Sequence, residues 1–428
     1  MNSKYKALIP LALTAALLFT ACGAQHTTTA GTTGASSAAA PTQTAALTAT
    51  AAEVEDAAIQ TLFSKRDLSG EYDAAEAVSV TLTGSGAQAD TDAVQLSGST
   101  VTITAAGTYV LTGTLDDGCI IVDTGKEDKV QLVLDGATIH SETFAAIYVK
   151  QADKVFITLA EDSVSVLSNG GTFKQIDDNN VDAVIFSKDD LTLNGSGTLQ
   201  ISSPGGHGIV GKDEVTITGG TYQITADGHG ISGKDSIAIS DGSFVIDANK
   251  DGLHSENGDD DTLGNVYISG GEFVIRVYDD AIHAVYMLQI DGGSFDITAA
   301  EGLEATWIQI NDGAISIRAS DDGINAGRKS GACIPTIELN GGTVTIVMGA
   351  GDTDGVDSNG NIVVNGGTID VTGNSTFDYD GTAQYNGGTI IVNGTVTDSI
   401  PNQMMGGMHG GMMGGKGGMM GGKGGFRG

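Results

Sequence analysis

The sequence is poor in aromatic residues, proline and cysteine. Aromatic residues make up 5% of the 428 residues, and there are 5 Pro and 3 Cys against 64 Gly. Helical proteins and ordinary β-sandwiches do not have this composition, whereas chains that stack many small structural units do. The composition therefore favours a repeat protein.

Basic residues are also scarce. Lys and Arg together number 20 against 53 Asp and Glu, and the net charge is -33. A charge of this sign repels nucleic acid and anionic membrane surfaces, and it attracts cations. We therefore expect no nucleic-acid partner and no direct binding to a lipid surface.

The first 22 residues have the pattern of an export signal. A start with two Lys precedes an apolar run from Ala7 to Phe19, which is too short to span a membrane and ends just before Cys22. This pattern predicts a bacterial lipoprotein that carries lipid on Cys22 and is anchored, outside the cytoplasm, to the outer face of the cell membrane. An ordinary secretory signal with an incidental Cys is the alternative.

Composition divides the rest of the chain. Residues 23–52 are rich in Thr and Ala without periodicity, which predicts a flexible linker. Residues 53–99 are expected to form an N-terminal cap that begins with a short helix from Glu53 to Lys65, and residues 100–400 the main domain. Residues 401–428 are mostly Gly and Met and have no acidic residue, so we expect a disordered tail.

The main domain is built from repeats. Between Asn249 and Ala326 one phrase occurs four times: an acidic residue, a small residue, Ile or Leu, a polar residue, a strand, a Gly pair and a second strand. Apolar residues in each unit alternate at period two, which indicates strands. The units are about 20 to 30 residues long, which suits a solenoid and is shorter than the blade of a β-propeller. Their Gly-Gly or Asp-Gly pairs end at Gly220, Gly242, Gly271, Gly293, Gly313, Gly342, Gly367 and Gly388.

Three short strands per unit, stacked in register, predict an all-β fold. The expected architecture is a right-handed, single-stranded parallel β-helix with an N-terminal cap and a core of stacked Ile, Val, Leu and Phe. Each buried side chain of such a ladder contributes about 1.5 to 3 kcal/mol. Repeats that rise about 4.8 Å would hold Cys119 and Cys333 on the order of 40 Å apart, so we expect two free thiols.

Several runs resemble a known family. They are AGTYVLTGTLDDGCIIVDT, VQLVLDGATIHSETFAAIYVKQADKVFITLAE, the repeated GKD-strand-GG-strand units and the leading FSKRDLSGEYD. From about Phe63 to Val396 the chain is similar to the bacterial carbohydrate-binding β-helix lipoproteins, which are pectate-lyase-like and bind polygalacturonate and cellulose. The resemblance implies an extracellular parallel β-helix with bound calcium that binds acidic or cellulosic plant polysaccharide without established catalysis. It assigns no residues.

Aligning the units brings acidic residues into one column. Stacked about 4.8 Å apart, such carboxylates repel one another by several kcal/mol unless a cation bridges them, and Ca²⁺ suits such oxygen ligands. The alternative is that Asp merely favours turns before Gly. The predicted calcium ligands are Asp251, Asp279, Asp280, Glu301, Glu304, Asp321, Asp322, Asp352, Asp354 and Asp357.

Other polar columns predict contacts to a sugar. His254 and His283 stand beside the acids, and hydrogen bonding to sugar hydroxyls is favoured over a zinc site there. Lys188, Lys212 and Lys234 recur before Asp and could bind uronate carboxylates, although exposed salt bridges would explain them equally. Trp307 is the one tryptophan, and its ring could stack on a sugar.

These features predict a surface-anchored, calcium-dependent protein, monomeric, that binds acidic plant cell-wall polysaccharide such as pectin or polygalacturonate, with cellulose as a further ligand. The first alternative is a calcium-dependent polysaccharide lyase, which needs a Lys or Arg base near the ion. The candidate bases are Lys250, Arg276, Arg318, Arg328 and Lys329, and the sequence does not choose among them. The second alternative is a structural or adhesin protein of the cell surface. We therefore expect a binding protein and not an enzyme.

Overall fold

The structure is a computed structural model that describes residues 62–350 and 353–402. All its regular elements are strands, 36 in number. The predicted signal, its Cys22, the linker, Asp352 and nearly all of the tail lie outside the described residues. Across the described ranges, no helix is long and apolar enough to cross a membrane.

The strands follow one another with short connections. The first twelve are β1 (Val78–Gly84), β2 (Ala87–Ala89), β3 (Val94–Ser97), β4 (Thr100–Ile103), β5 (Gly107–Leu115), β6 (Cys119–Asp123), β7 (Lys129–Ser141), β8 (Ile147–Gln151), β9 (Lys154–Leu159), β10 (Val164–Asn169), β11 (Ala183–Ser187) and β12 (Asp190–Gly195). The next twelve are β13 (Thr198–Ser203), β14 (His207–Gly211), β15 (Glu214–Ile217), β16 (Thr221–Ala226), β17 (Ile231–Gly233), β18 (Ser236–Ile239), β19 (Ser243–Ala248), β20 (Leu253–Ser255), β21 (Asn265–Ile268), β22 (Glu272–Val277), β23 (Asp280–Ile290) and β24 (Ser294–Ala299). The last twelve are β25 (Glu301–Ile310), β26 (Ala314–Ala319), β27 (Ile324–Ala326), β28 (Thr336–Leu339), β29 (Thr343–Met348), β30 (Asp354–Ser358), β31 (Asn361–Val364), β32 (Thr368–Thr372), β33 (Ser375–Tyr379), β34 (Ala383–Tyr385), β35 (Thr389–Val392) and β36 (Thr395–Thr397).

Through most of the chain each strand pairs in parallel with the strand three further along, so the strands form three parallel stacks. Stack 1 contains β4, β6, β8, β11, β14, β17, β20, β23, β25, β27, β30 and β33. Stack 2 contains β5, β7, β9, β12, β15, β18, β21, β23, β25, β28, β31 and β34. Stack 3 contains β1, β5, β7, β10, β13, β16, β19, β22, β24, β26, β29, β32 and β35. The all-β prediction is confirmed, and this mostly parallel sheet is compatible with a β-helix solenoid.

The core consists of apolar side chains stacked in register. In stack 1, Ile209, Ile231 and Leu253 occupy equivalent positions and are fully buried. In stack 3 the rings of Tyr222, Phe244, Phe273 and Phe295 lie 4.6–5.0 Å apart and nearly parallel. The alternation at period two therefore identified the buried face of the strands that carry these side chains.

The predicted glycine turns connect stack 2 to stack 3. All eight have positive φ, from +73° to +138°. Neighbouring turns also approach closely, because a Cβ on Gly293 would lie 3.0 Å from the carbonyl oxygen of Gly271. Only glycine has this backbone conformation without steric cost, which explains the Gly at the second position of the pair in every repeat.

The N-terminal part differs from the expectation in two ways. Strands begin at Val78, within the residues 53–99 that were expected to form the cap, and the earliest ones form the antiparallel pairs β1 with β2 and β3 with β4. Residues 62–70, which we call the side segment, lie along stack 2: Phe63 packs on Ala238 and Tyr267. The described end of the predicted capping helix is therefore beside the stack, while residues 53–61 lie outside the described residues.

Polar contacts hold the side segment to the earlier strands of stack 2. The Asp67 carboxylate is 3% exposed, accepts a hydrogen bond of 2.6 Å from Thr192 and lies 2.8 Å from Lys154 Nζ. Asn194 donates to the carbonyl oxygens of Asp67 and Ser69. These partners lie far away in sequence, so no local pattern could have indicated them.

Candidate functional site

Outward-facing side chains of stack 1 form a column of polar residues. From β14 to β33 the residues in register are Val210, Ser232, His254, His283, Glu304, Asn325, Asp357 and Asp378. The predicted column is confirmed from Val210 onward. Aligning the repeats places Ile185 at the start of this column, but the register there is shifted by one residue, since Ile185 pairs with Ile209 and Phe186 pairs with Val210.

A second column lies at the corner that precedes these strands. It contains His207, His229, Asp251, Asp280, Glu301, Asp322 and Asp354. Several of these side chains accept a hydrogen bond from the backbone N–H of the next member of the column, as His207 Nδ1 does from His229 and Asp322 Oδ1 does from Asp354. The corner thus needs a hydrogen-bond acceptor, which accounts for part of the repeated Asp and His.

We call the surface formed by these two columns, from His229 to Asp357, the polar recess. Although their side chains face outward, His229, His254 and His283 are only 12–16% exposed. Two loops, residues 256–264 and 327–335, lie beside the recess and touch each other where Ser330 Oγ donates to the carbonyl oxygen of Asp261. The recess therefore shields its ionisable groups from part of the solvent.

Imidazoles and carboxylates alternate in close contact along the recess. The rings of His207, His229, His254 and His283 are stacked with centroids 4.1–5.0 Å apart. His283 Nδ1 lies 2.9 Å from Asp280 Oδ2 and 2.6 Å from Glu304 Oε2. On the other side of Glu304, Lys329 Nζ lies 2.6 Å from Oε1.

Burial and mutual repulsion shift the pKa values of the acids. Burial, and then the charges of Glu304 and Asp280, raise the pKa of Glu301 to about 8. Asp280 is shifted in the same direction by burial. Burial alone would raise the pKa of Glu304 as well, but its contacts with His283, Asp280 and Lys329 outweigh that effect and lower it. Carboxyl groups with a raised pKa, such as those of Glu301 and Asp280, are ionised readily only when a cation lies beside them.

The same situation recurs further along the recess. Burial raises the pKa of Asp357 to about 7, with additional repulsion from Asp322 and Asp354. Burial is also the main reason that the pKa of Asp322 is raised to about 6. The acidic character therefore extends over at least four repeats.

Among the described residues, three groups of side chains have donor atoms within 4.8 Å of one another, close enough to hold a metal ion. They are His229 with Asp251 and His254, Asp251 with Asp280 and His283, and Asp280 with Glu301 and Glu304. Only the last group consists of oxygen donors alone, so it fits Ca²⁺, which prefers carboxylate and carbonyl oxygens. The groups with imidazole nitrogen suit transition metals better.

Two predicted calcium ligands and the three predicted lysines lie outside these groups. Asp279 and Asp321 are exposed and belong to none of the three groups. Lys188, Lys212 and Lys234 follow stack 1 in successive repeats, as predicted. Lys234 Nζ forms an ion pair of 2.7 Å with Asp259.

A depression of about 310 Å³ joins two predicted sets of residues. It is lined by Lys212, Lys234, Ser232, His254 and Glu256 together with Gly211 and Gly258. The sequence placed the Lys and His columns separately, whereas here they face one space. Lys212 and the ion pair of Lys234 with Asp259 lie next to the carboxylates of the recess, so an anionic ligand in this space would meet lysine side chains and a bound cation.

Trp307 lies outside the recess, at the point where β25 continues into stack 2. It is in register with Met287 and Thr336 and is half-buried. Its indole Nε1 is buried and has no hydrogen-bond partner among the described residues. The predicted stacking of this ring on a sugar stays a prediction.

The structure distinguishes the candidate bases that the sequence left equivalent. Only Lys329 has a contact of 2.6 Å to an acid of the recess, and its loop position gave no sequence signal for this. Arg276 and Arg318 lie on stack 3, where they pair with Asp247 and Asp296. Arg318 lines a shallow depression of about 540 Å³ on that side of the molecule.

Comparisons with known proteins point in one direction. A family model described as "Carbohydrate-binding domain-containing protein" matches residues 97–355. A protein of that description from Acetivibrio thermocellus is 44% identical over 209 residues, which cover 48% of this chain and 73% of the relative. A solved structure described as the polysaccharide lyase-like protein from C. thermocellum, gadolinium derivative, is 34% identical and has a TM-score of 0.51. The match covers 56% of this chain and 96% of the chain in that structure.

Proposed function

Because the chain belongs to the family of carbohydrate-binding domain-containing proteins, we propose that its polar recess binds an acidic polysaccharide with the help of calcium. Polygalacturonate, as in pectin, is the proposed ligand, with cellulose as a further one. The observation that carries the proposal is the row of buried carboxyl groups beside the depression that Lys212 and Lys234 line.

Asp280, Glu301 and Glu304 are the proposed core of a calcium site. They form the all-oxygen donor group, and burial leaves Asp280 and Glu301 poorly ionised unless a cation is bound. Calcium accepts six to eight oxygen ligands, so positions remain for water or for the carboxylate and hydroxyl groups of a sugar. Asp322, Asp354 and Asp357 are proposed to hold a second ion.

The lysines are proposed to bind the carboxylates of the glycan. Lys212 and Lys234 line one depression with His254, while Lys188 lies one repeat earlier and is exposed. A ligand in that depression would be close to the calcium ligands of the recess, so an acidic sugar could contact both. A regular polymer also matches a binding surface that repeats along a stack.

The setting of this activity is likewise a proposal. The strand connectivity is compatible with a right-handed, single-stranded parallel β-helix, and we propose that form for residues 100–400. Lipidation at Cys22 would anchor the protein, as a monomer, to the outer face of a bacterial cell membrane. There its acidic surface would meet extracellular glycan.

One observation favours a lyase as the second candidate function. Lys329 lies beside Glu304, where a base could reach a sugar bound to calcium. Burial lowers the pKa of Lys329, but the contact with Glu304 outweighs this effect and leaves the pKa raised. A lysine of this kind is protonated at neutral pH and is a poor base, so binding is the preferred function.

Binding of polygalacturonate to the full chain, with and without a calcium chelator, tests the proposal. We expect binding that the chelator abolishes, and a loss of affinity in Lys212→Ala but not in Arg318→Ala, a basic residue on stack 3. Absorbance of an unsaturated product would favour the lyase instead. Absence of binding to polygalacturonate and to cellulose would leave the structural or adhesin role.

A further inference from the structure

Asp251 lies between two imidazoles. Its carboxylate is 5% exposed, and Oδ2 lies 2.6 Å from His254 Nδ1 and 3.1 Å from His229 Nδ1. Two ring nitrogens from successive repeats therefore converge on one oxygen atom. This arrangement differs from the oxygen-only group of Asp280, Glu301 and Glu304 one repeat further along.

The proton on His229 Nδ1 cannot satisfy both of its neighbours. Nδ1 lies 3.2 Å from the backbone N–H of Asp251, which must donate, and 3.1 Å from Oδ2 of the same residue, which must accept. If Nδ1 is bare, its lone pair faces the carboxylate oxygen; if Nδ1 is protonated, its proton faces the N–H. A cation bound to both atoms removes the repulsion between the Nδ1 lone pair and the carboxylate oxygen, and it does so in place of the hydrogen bond from the Asp251 N–H, because Nδ1 has a single lone pair.

We propose that His229, Asp251 and His254 form a binding site for a divalent transition-metal ion such as Zn²⁺. Two imidazole nitrogens and one carboxylate are a donor set that zinc and its neighbours in the first transition series use, whereas calcium binds oxygen almost alone. The donor atoms of the three residues already lie within 4.8 Å of one another.

The site is open on one side. The side chains of His229 and His254 are 13% and 16% exposed at the recess, so an ion can enter there and keep a position for water or a sugar hydroxyl. Three protein ligands with one open position is the arrangement of zinc sites that are not purely structural. This inference goes beyond the proposed function and does not depend on calcium, although the two sites are neighbours.

The test uses the full chain in a background of His26→Gln and His409→Gln, which removes the two His outside the described residues. Zn²⁺ is titrated calorimetrically in excess Ca²⁺, and Co²⁺ is titrated while its visible absorption is recorded. We expect one Zn²⁺ per chain and a Co²⁺ spectrum typical of mixed nitrogen and oxygen ligands. His254→Gln should weaken zinc binding at least about tenfold, since even loss of an outer-shell partner costs that much.

His140→Gln is the matched control, because His140 lies on β7, bonded to Ser168 and Glu142, away from this group. Its zinc affinity should not change. The proposal is overturned if Zn²⁺ and Co²⁺ do not bind in excess calcium, or if neither His254→Gln nor His229→Gln weakens zinc. If a variant does not fold, the Co²⁺ spectrum of the background chain still shows whether nitrogen and oxygen ligands bind the ion. Calcium and glycan binding, measured on the same samples, show whether the proposed function fails separately.

Discussion

Glu301 allows a quantitative test of the idea that the polar recess requires a cation. Its pKa is raised to about 8, mainly by burial and then by Glu304 and Asp280. The folded state therefore retains a proton that the unfolded chain releases at lower pH. It follows that stability falls as the pH rises from about 4.5 to about 8, and it stays low above that range.

Replacing Glu301 by Gln removes the charge and keeps an oxygen that can accept from Asn325 Nδ2, which now lies 3.0 Å from Oε2. The full change in pKa corresponds to about 5 kcal/mol at about 1.4 kcal/mol per pK unit. Because the carboxyl group retains some contact with solvent, screening reduces the expected effect to about 1 to 2 kcal/mol. Without divalent cations at pH 9, Glu301→Gln should be more stable than the unmodified chain by this amount, and at pH 4.5 the two should be equal.

At pH 9, calcium should make the unmodified chain more stable than Glu301→Gln. At about 100 times its dissociation constant an ion that binds only the folded chain adds about 2.7 kcal/mol, and the variant should gain clearly less. Urea unfolding of metal-free and calcium-loaded samples at both pH values measures each quantity. The reasoning is refuted if the difference between the two chains does not depend on pH, or if calcium stabilises both equally.

Three further predictions concern other parts of the molecule. Replacing Asp280 and Asp322 together with Asn should weaken calcium binding at least about tenfold in calorimetry and leave the β-rich circular dichroism spectrum unchanged at excess calcium; unchanged affinity would move the ions elsewhere. Phe273→Ala should lower the free energy of unfolding by about 3 to 5 kcal/mol in urea, because the ring is 2% exposed between two stacked neighbours. Gly293→Ala should be destabilising, since its φ is +101° and a Cβ would lie 3.0 Å from a carbonyl oxygen. Gly258→Ala, with open space around it, should unfold at the same urea concentration as the unmodified chain.

The repeat made the regular part of the fold accessible from the sequence. Each Gly-Gly or Asp-Gly pair recurs in the same structural position, so eight turns could be located from spacing alone, and all eight have a glycine with positive φ. The register of the polar column followed from the same alignment. It failed near Ile185, where the repeat is less regular and one residue of slippage changes the partner.

The parts that were missed depend on contacts between distant residues. Val78–Gly84 alternates like any strand, but it precedes the regular repeat and pairs antiparallel with β2, so the alignment could not reveal it. Lys329 reaches Glu304 because its loop rests on Thr306, which accepts hydrogen bonds from the N–H groups of Lys329 and Ser330. Loop conformation of this kind is not encoded by spacing.

The sequence predicted which residues belong to the candidate site but not which side chains contact each other. The sequence assigned Asp251 to calcium and His254 to sugar, whereas the two side chains are 2.6 Å apart. Alignment shows which residues share a column. It does not show which rotamer links one column to the next, and that choice decides whether a carboxylate meets another acid or an imidazole.

The side segment should change the order in which the repeats unfold. In a stack of repeats each unit touches only its neighbours, and such arrays can fray from one end, one unit at a time. Phe63 and Asp67 instead tie together strands from Lys154 to Tyr267, which belong to successive repeats. These repeats can therefore unfold only after the side segment has detached from them. The middle of the protein should open as one cooperative block, while the last repeats, which the segment does not touch, can fray independently.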